Sequence, residues 1–183
     1  MSLSTSLKSE ILEIAKPKIE RIKNAASKGV LKQDEKWHHY VSPEWLFACL
    51  DDDVCVASER NYFSFSRAES DGFIHIMKRL YPGYSIYSSG HFYYPKTGYM
   101  GWHTNSSQPD KHVYIVYASE DKQSFFRYYK DDEVITHYDD KGLNIREFDA
   151  TAERPFFWHC VGSECDRFSF GFRLFPSDAS HNH

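Results

Sequence analysis

The sequence predicts a mainly β domain with flanking helices, and three observations carry that prediction. Aromatic residues make up 17% of the chain, with 13 Tyr and 14 Phe, and they concentrate after Asn61. Aromatic side chains favour pleated, half-buried surfaces, so such a concentration implies sheets packed face to face. From Tyr84 onward, short aromatic or β-branched runs alternate with turn residues, the pattern of an antiparallel sandwich or barrel. The length of 183 residues, 21.5 kDa, fits one compact domain over 1–183.

Helices come first. Leu7, Ile11, Ile14, Ala15, Ile19 and Ile22 recur at helical spacing among Lys and Glu over 4–24, with Pro17 expected to kink or divide the pattern. Ser42 followed by Pro43 and Glu44 is a helix start, a side-chain cap with proline in the first turn, and Trp45, Leu46, Phe47 and Leu50 supply an apolar face ending near Asp51. Another helix begins near Ser70 or Asp71 and runs to Leu80, where Pro82 and Gly83 stop it. Residues 1–83 are thus helical and strand additions to a β core over 84–175. Its strands are predicted over 90–94, 101–105, 111–118, 124–129, 133–138, 143–147, 156–161 and 167–175, leaving a disordered tail over 176–183.

A formal net charge of -4 and a pI near 6.2 give no global attraction to phosphate backbones, so nucleic acid is not an expected partner. Lys and Glu interrupt every apolar run near the N-terminus. The expectation is a cytoplasmic protein with no signal peptide and no membrane span. Cys49, Cys55, Cys160 and Cys165 lack tight metal-knuckle spacing and are expected to be reduced structural thiols. Oligomeric state is not legible.

Ten histidines invite a metal hypothesis, but most are expected to be ordinary, including His38 and His39 beside Trp37 and the tail pair His181 and His183. His103 and His159 stand out because each lies in a predicted strand inside an ordered pattern. The first segment runs from Tyr94 through Trp102-His103-Thr104-Asn105, where strand alternation puts residues 103 and 105 on one face. The second is Phe157-Trp158-His159. The third is Arg167-Phe168-Ser169-Phe170-Gly171-Phe172-Arg173, with its odd-numbered members on one face. Trp102 and Trp158 then point the other way, into packing between sheet and helices.

In the order of these segments the chain resembles the Fe(II)/2-oxoglutarate-dependent oxygenase superfamily, over about half its length. The resemblance implies a double-stranded β-helix, or jelly-roll, core. It implies that His103, the residue at 105 and His159 form the facial metal site, with open positions for co-substrate and oxygen. It further implies that Arg167 pairs with the far carboxylate of 2-oxoglutarate, helped by Ser169 and Tyr94, while the spacing of Arg167 and Arg173 is similar to the demethylase branch. The implied reaction is hydroxylation of a small molecule, amino acid or peptide side chain, with release of succinate and carbon dioxide.

The family's carboxylate is Asn at position 105. An amide oxygen is neutral and binds Fe(II) more weakly than a carboxylate. Asn105 ligates through its amide oxygen, or leaves a coordination position open as in the halogenase branch, or marks a site that no longer binds metal; Asp110 folding in from the loop is a further possibility. Arg127, or Asn144 with Arg146, are candidate substrate contacts, Arg127 by lining the barrel or else by forming an exposed ion pair. Two rivals remain: a catalytically silent β-helix that binds a ligand or protein, and a cupin-type metalloprotein using His91, His112 or His137 without 2-oxoglutarate.

Overall fold

The computed structural model describes residues 3–29, 34–50 and 59–177. Helix α1 spans Thr5–Ala26, α2 Trp37–Tyr40, α3 Pro43–Cys49 and α4 Phe73–Leu80. The Ser4 hydroxyl caps α1 by accepting from the Leu7 amide at 3.3 Å, and Ile11, Ala15, Ile19, Ile22 and Ala26 form its buried stripe. Pro17 does not divide α1. It sits on the exposed face, where the carbonyl left without its amide partner can face water. The cap predicted for α3 is present, with Ser42 Oγ accepting from the Trp45 amide at 3.1 Å. A 3-10 turn over Arg67–Ser70 precedes α4, whose start falls at Phe73 because Gly72 takes a positive φ of 90°.

Ten strands follow or interleave: β1 Arg60–Asn61, β2 Phe63–Ser64, β3 Tyr84–Tyr94, β4 Gly98–His103, β5 Lys111–Ala118, β6 Ser124–Lys130, β7 Glu133–Tyr138, β8 Gly142–Asp149, β9 His159–Ser163 and β10 Arg167–Pro176. They form two antiparallel five-stranded sheets, ordered β1-β4-β9-β6-β7 and β2-β3-β10-β5-β8. With the two short edge strands set aside, successive strands β3 to β10 wind between the sheets as an eight-stranded jelly roll. The predicted strands over 111–118 and 133–138 match β5 and β7. The first predicted strand begins six residues too late, and the strand predicted over 101–105 ends at His103.

Three apolar layers follow from strand alternation. Outside one sheet, α1 and α4 cover Val113, Ile115, Phe168, Phe170 and Phe172. Outside the other, α2 and α3 cover Tyr99, Trp102, Phe125, Trp158 and Cys160, so both tryptophans pack as their parity predicts. Between the sheets lie Tyr94, Met100, Phe126, Phe148 and Val161. Burying each such side chain contributes about 1.5–3 kcal/mol. Cys160 and Cys165 are buried thiols; Cys55 and the tail histidines lie outside the described residues.

Candidate functional site

His103 closes β4 and His159 opens β9, and the two are cross-strand partners, which is why histidines so distant in sequence meet. Their ring centroids are 4.1 Å apart. His103 Nδ1 donates to the Gly101 carbonyl at 2.8 Å and His159 Nδ1 to the Phe157 carbonyl at 3.0 Å. A carbonyl can only accept, so each Nδ1 carries the proton and each Nε2 keeps a lone pair. Burial holds the His103 imidazolium down to about 4, and burial together with the His103 charge holds His159 well below the ordinary histidine value. Both rings are therefore neutral near pH 7, the form that binds metal. Metal–nitrogen bonds near 2.1 Å at right angles would place two ring centres roughly 4.5 Å apart, close to the separation found here.

The two histidines line a cavity of about 30 Å³ with Tyr94, Arg146, Arg167 and Ser169, room for a water-sized group. Arg167 is 2% exposed, and its Nε donates to Asp139 Oδ2 at 2.9 Å. Arg146 Nε and Nη2 donate to the other oxygen, Oδ1, at 3.1 and 2.6 Å, and the Ser124 hydroxyl adds a bond to Oδ2 at 2.7 Å. Burial alone would raise the Asp139 carboxyl, but the two arginine charges and the Arg167 and Ser124 hydrogen bonds outweigh it and hold it below the ordinary value. A buried and a part-buried cation thus share one buried anion, and Arg167 Nη1 is buried without a partner among the described residues. A surplus positive charge with a free donor is suited to an anion. The Arg167 guanidinium also lies 5.3 Å from the Tyr94 ring centre.

Asn105 is not where alternation predicts. The strand has ended at His103, and Asn105 takes a left-handed φ of 50°. Its side chain hydrogen-bonds the Tyr114 hydroxyl, whose pKa burial pushes up to about 12 against that bond and the Arg167 charge. It lines an outer cleft of about 310 Å³ rather than the inner cavity. Cavity and cleft share Phe92, Met100, His103 and Tyr114, so the cleft leads to His103. Among the described residues no group of three His, Cys, Asp or Glu side chains is placed to hold a metal.

Other candidates go elsewhere. Arg173 pairs with Asp110 and lines a surface groove with Ser85 and Tyr87 that adjoins the outer cleft at Arg67, Ser89 and Gln108; a bulge against β3 and the length of β10 separate it from Arg167. Asp110 is thereby committed to the loop and does not fold in toward the histidines. Arg127 lies on the helix side of β6, not inside the barrel, and makes no ion pair among the described residues. It stacks 4.5 Å from Phe125, donates to the Val41 carbonyl at 2.5 Å and bonds Thr136 at 2.8 Å. Its parity with Phe125 rather than Phe126 explains the difference. Asn144 braces its own turn through Asp140 and Gly142. Of the alternative histidines, His91 packs among Phe65, Phe170 and Phe172 under the helices and His137 is exposed, so the three do not gather. Asp139, the centre of the buried network, carries no local signal, since Tyr138-Asp139-Asp140-Lys141-Gly142 reads as a turn.

No family model matches the chain, and no curated protein does. Solved structures resemble it weakly. Peruvianin-I, a cysteine peptidase from Thevetia peruviana latex, is 14% identical with a TM-score of 0.33 over 52% of each chain, so this chain spans about half of that one. The Schizosaccharomyces pombe Cnp3 cupin domain is 9% identical with a TM-score of 0.31 over 67% of this chain and 70% of that one. A predicted oxalate decarboxylase from Thermotoga maritima is 11% identical with a TM-score of 0.29, covering 67% of this chain and 98% of that one. Likenesses of this size assign no function; the jelly roll rests on the strand order itself. No helix among the described residues is long and apolar enough to cross a membrane.

Proposed function

We propose that this jelly roll is an Fe(II)/2-oxoglutarate-dependent oxygenase acting on a small molecule or an amino-acid side chain. The observation that carries the proposal is the buried Arg167 Nη1, unpartnered among the described residues, in the same cavity as two neutral histidines whose Nδ1 atoms are the protonated ones, leaving each Nε2 lone pair for a metal. One end of the cavity offers metal ligands, and the other offers a guanidinium donor for a carboxylate; with room for only a water-sized group as it stands, its walls would have to part to admit both. When bound, iron and 2-oxoglutarate supply the oxidation of an unactivated carbon by oxygen, with succinate and carbon dioxide released.

The chain's own residues have separate tasks. His103 and His159 hold the ion, and their Nδ1 bonds to main-chain carbonyls fix each ring's tautomer and tilt. Arg167 binds the far carboxylate, with Tyr94 and Ser169 hydroxyls beside it. Asp139 and Arg146 keep the guanidinium in place. Phe92, Phe126 and Met100 exclude water, which strengthens each charge interaction inside. With Asn105 turned toward Tyr114, His103 and His159 are the protein side chains that would hold the ion.

Anaerobic titration with Fe(II) and 2-oxoglutarate tests the proposal. The expected result is a weak visible charge-transfer band and a raised melting temperature, with Arg167→Gln removing the 2-oxoglutarate response while Fe(II) binding persists. Neither band nor stabilisation in the wild type would overturn it. The lack of a third protein ligand favours a second reading, a silent dicarboxylate-binding module, which predicts stabilisation by 2-oxoglutarate alone and no band.

A further inference from the structure

We propose that the cleft outside His103 recognises its substrate by negative charge, with Arg60 and Arg67 binding a carboxylate or phosphate of the molecule that reacts at His103. This substrate class rests on the oxygenase reading of the inner site; the anion site itself does not. The cleft is the way in, because it shares His103, Met100, Phe92 and Tyr114 with the inner cavity. Its volume of about 310 Å³ is at the lower end for small-ligand sites, so it fits a small molecule or one side chain of a longer one.

The charges carry the argument. The chain has 26 acidic and 22 basic residues, yet among the described residues no Asp or Glu lines this cleft. Five arginines elsewhere meet carboxylates, Arg21 with Glu69, Arg79 with Glu10, Arg146 and Arg167 with Asp139, and Arg173 with Asp110, while Arg127 bonds the Val41 carbonyl and the Thr136 hydroxyl. Arg60 and Arg67 have no such partner among the described residues, and both line the same cleft. Arg60 is placed by the pairing of β1 with β4, opposite the cavity-lining Met100; Arg67 opens the 3-10 turn that follows β2. Two guanidiniums with no carboxylate partner among the described residues, over one polar cleft on a protein of net charge -4, concentrate positive potential where an anion would enter. Asn105, Gln108 and Tyr114 add neutral hydrogen-bonding groups beside them.

The test uses the full chain and three probes, acetyl-Glu-Glu-Glu-amide, its Gln counterpart and inorganic phosphate, titrated calorimetrically at low and physiological salt. The acidic peptide or phosphate should bind and the Gln peptide should not, the stronger of the two anions identifying carboxylate or phosphate as the preferred group. The double variant Arg60→Gln/Arg67→Gln should weaken that binding by roughly fivefold to tenfold. Both residues are exposed, so the variant should fold. Its melting-temperature response to 2-oxoglutarate should remain, since that depends on Arg167. Failure of every anion to bind the wild type, or binding unchanged in the double variant, would overturn the cleft proposal. If the anion binds through Arg60 and Arg67 but 2-oxoglutarate has no effect on any form, the cleft stands and the oxygenase reading falls.

Discussion

Arg167 reaches the cavity with one free donor because Asp139 takes the other side of its guanidinium. The pair is buried at both ends, so its attraction is set against the desolvation of two ions, and breaking it leaves a cation stranded. Asp139→Asn would leave both Arg167 and Arg146 without a counter-charge. The expected cost is about 3–5 kcal/mol in chemical denaturation, with 2-oxoglutarate affinity lost as well in whatever fraction folds. A loss below about 1 kcal/mol would show that the carboxylate is dispensable. The pH dependence has a definite sign: the folded pKa of Asp139 is lowered, so its contribution is present above the ordinary carboxylate range and disappears as pH falls through the lowered value.

At the scale of elements, β10 serves two faces at once. Arg167 and Ser169 face the cavity, while Phe168, Phe170 and Phe172 are fully buried against the helical layer. Phe170 sits 4.7 Å from Phe73 and 5.3 Å from Phe65, ring centre to ring centre. Phe170→Ala should therefore cost about 3–5 kcal/mol of stability. Its ligand-induced melting shift should survive, whereas Ser169→Ala should diminish that shift and leave stability nearly unchanged; equal effects on both quantities would contradict the division of faces. This two-sided strand was legible in the sequence because Phe168, Phe170 and Phe172 alternate with Arg167, Ser169 and Gly171, and a pleated strand sends the two sets to opposite faces. So were β5, β7, the Ser42 cap and the outward tryptophans. The two-residue strands β1 and β2 were not, since so short a stretch has no period to detect and only pairing with β4 and β3 defines them. Asn105 misled because alternation was carried past the point where the strand stops; a left-handed residue there is something Asn tolerates well. The parity of Arg127 with Phe125 was visible, but which phenylalanine faced inward was not. Asp139 meets Arg146 and Arg167 only because the fold brings β8 and β10 to the end of β7.

For the whole molecule, acid lability follows from how its histidines are buried. His91, His103, His112 and His159 are each at most 8% exposed. Burial is the largest cause in lowering all four pKa values. The unfolded chain takes up protons near pH 6.5, while the folded chain withholds them, down to about 4 for His103. Over that interval the unfolded state binds more protons, so stability rises with pH; it is complete above about 6.5 and declines as pH falls toward 4. For His103 alone the shift corresponds to about 3 kcal/mol. His91 and His112 belong to the same balance without lining the inner cavity, so the effect should persist in metal-free protein. Calorimetric melting of the metal-free chain at pH 7.5, 6.5, 5.5 and 4.5 should show a continuous fall, and unfolding at pH 5.5 should take up protons when compared across buffers of different ionisation enthalpy. His91→Gln should shallow the slope even if it lowers the melting temperature at pH 7.5, because it removes one withheld proton. A flat profile from 7.5 to 4.5 would mean that the buried imidazoles accept protons in the folded state, and with it the neutral, metal-ready form of the central pair would be lost.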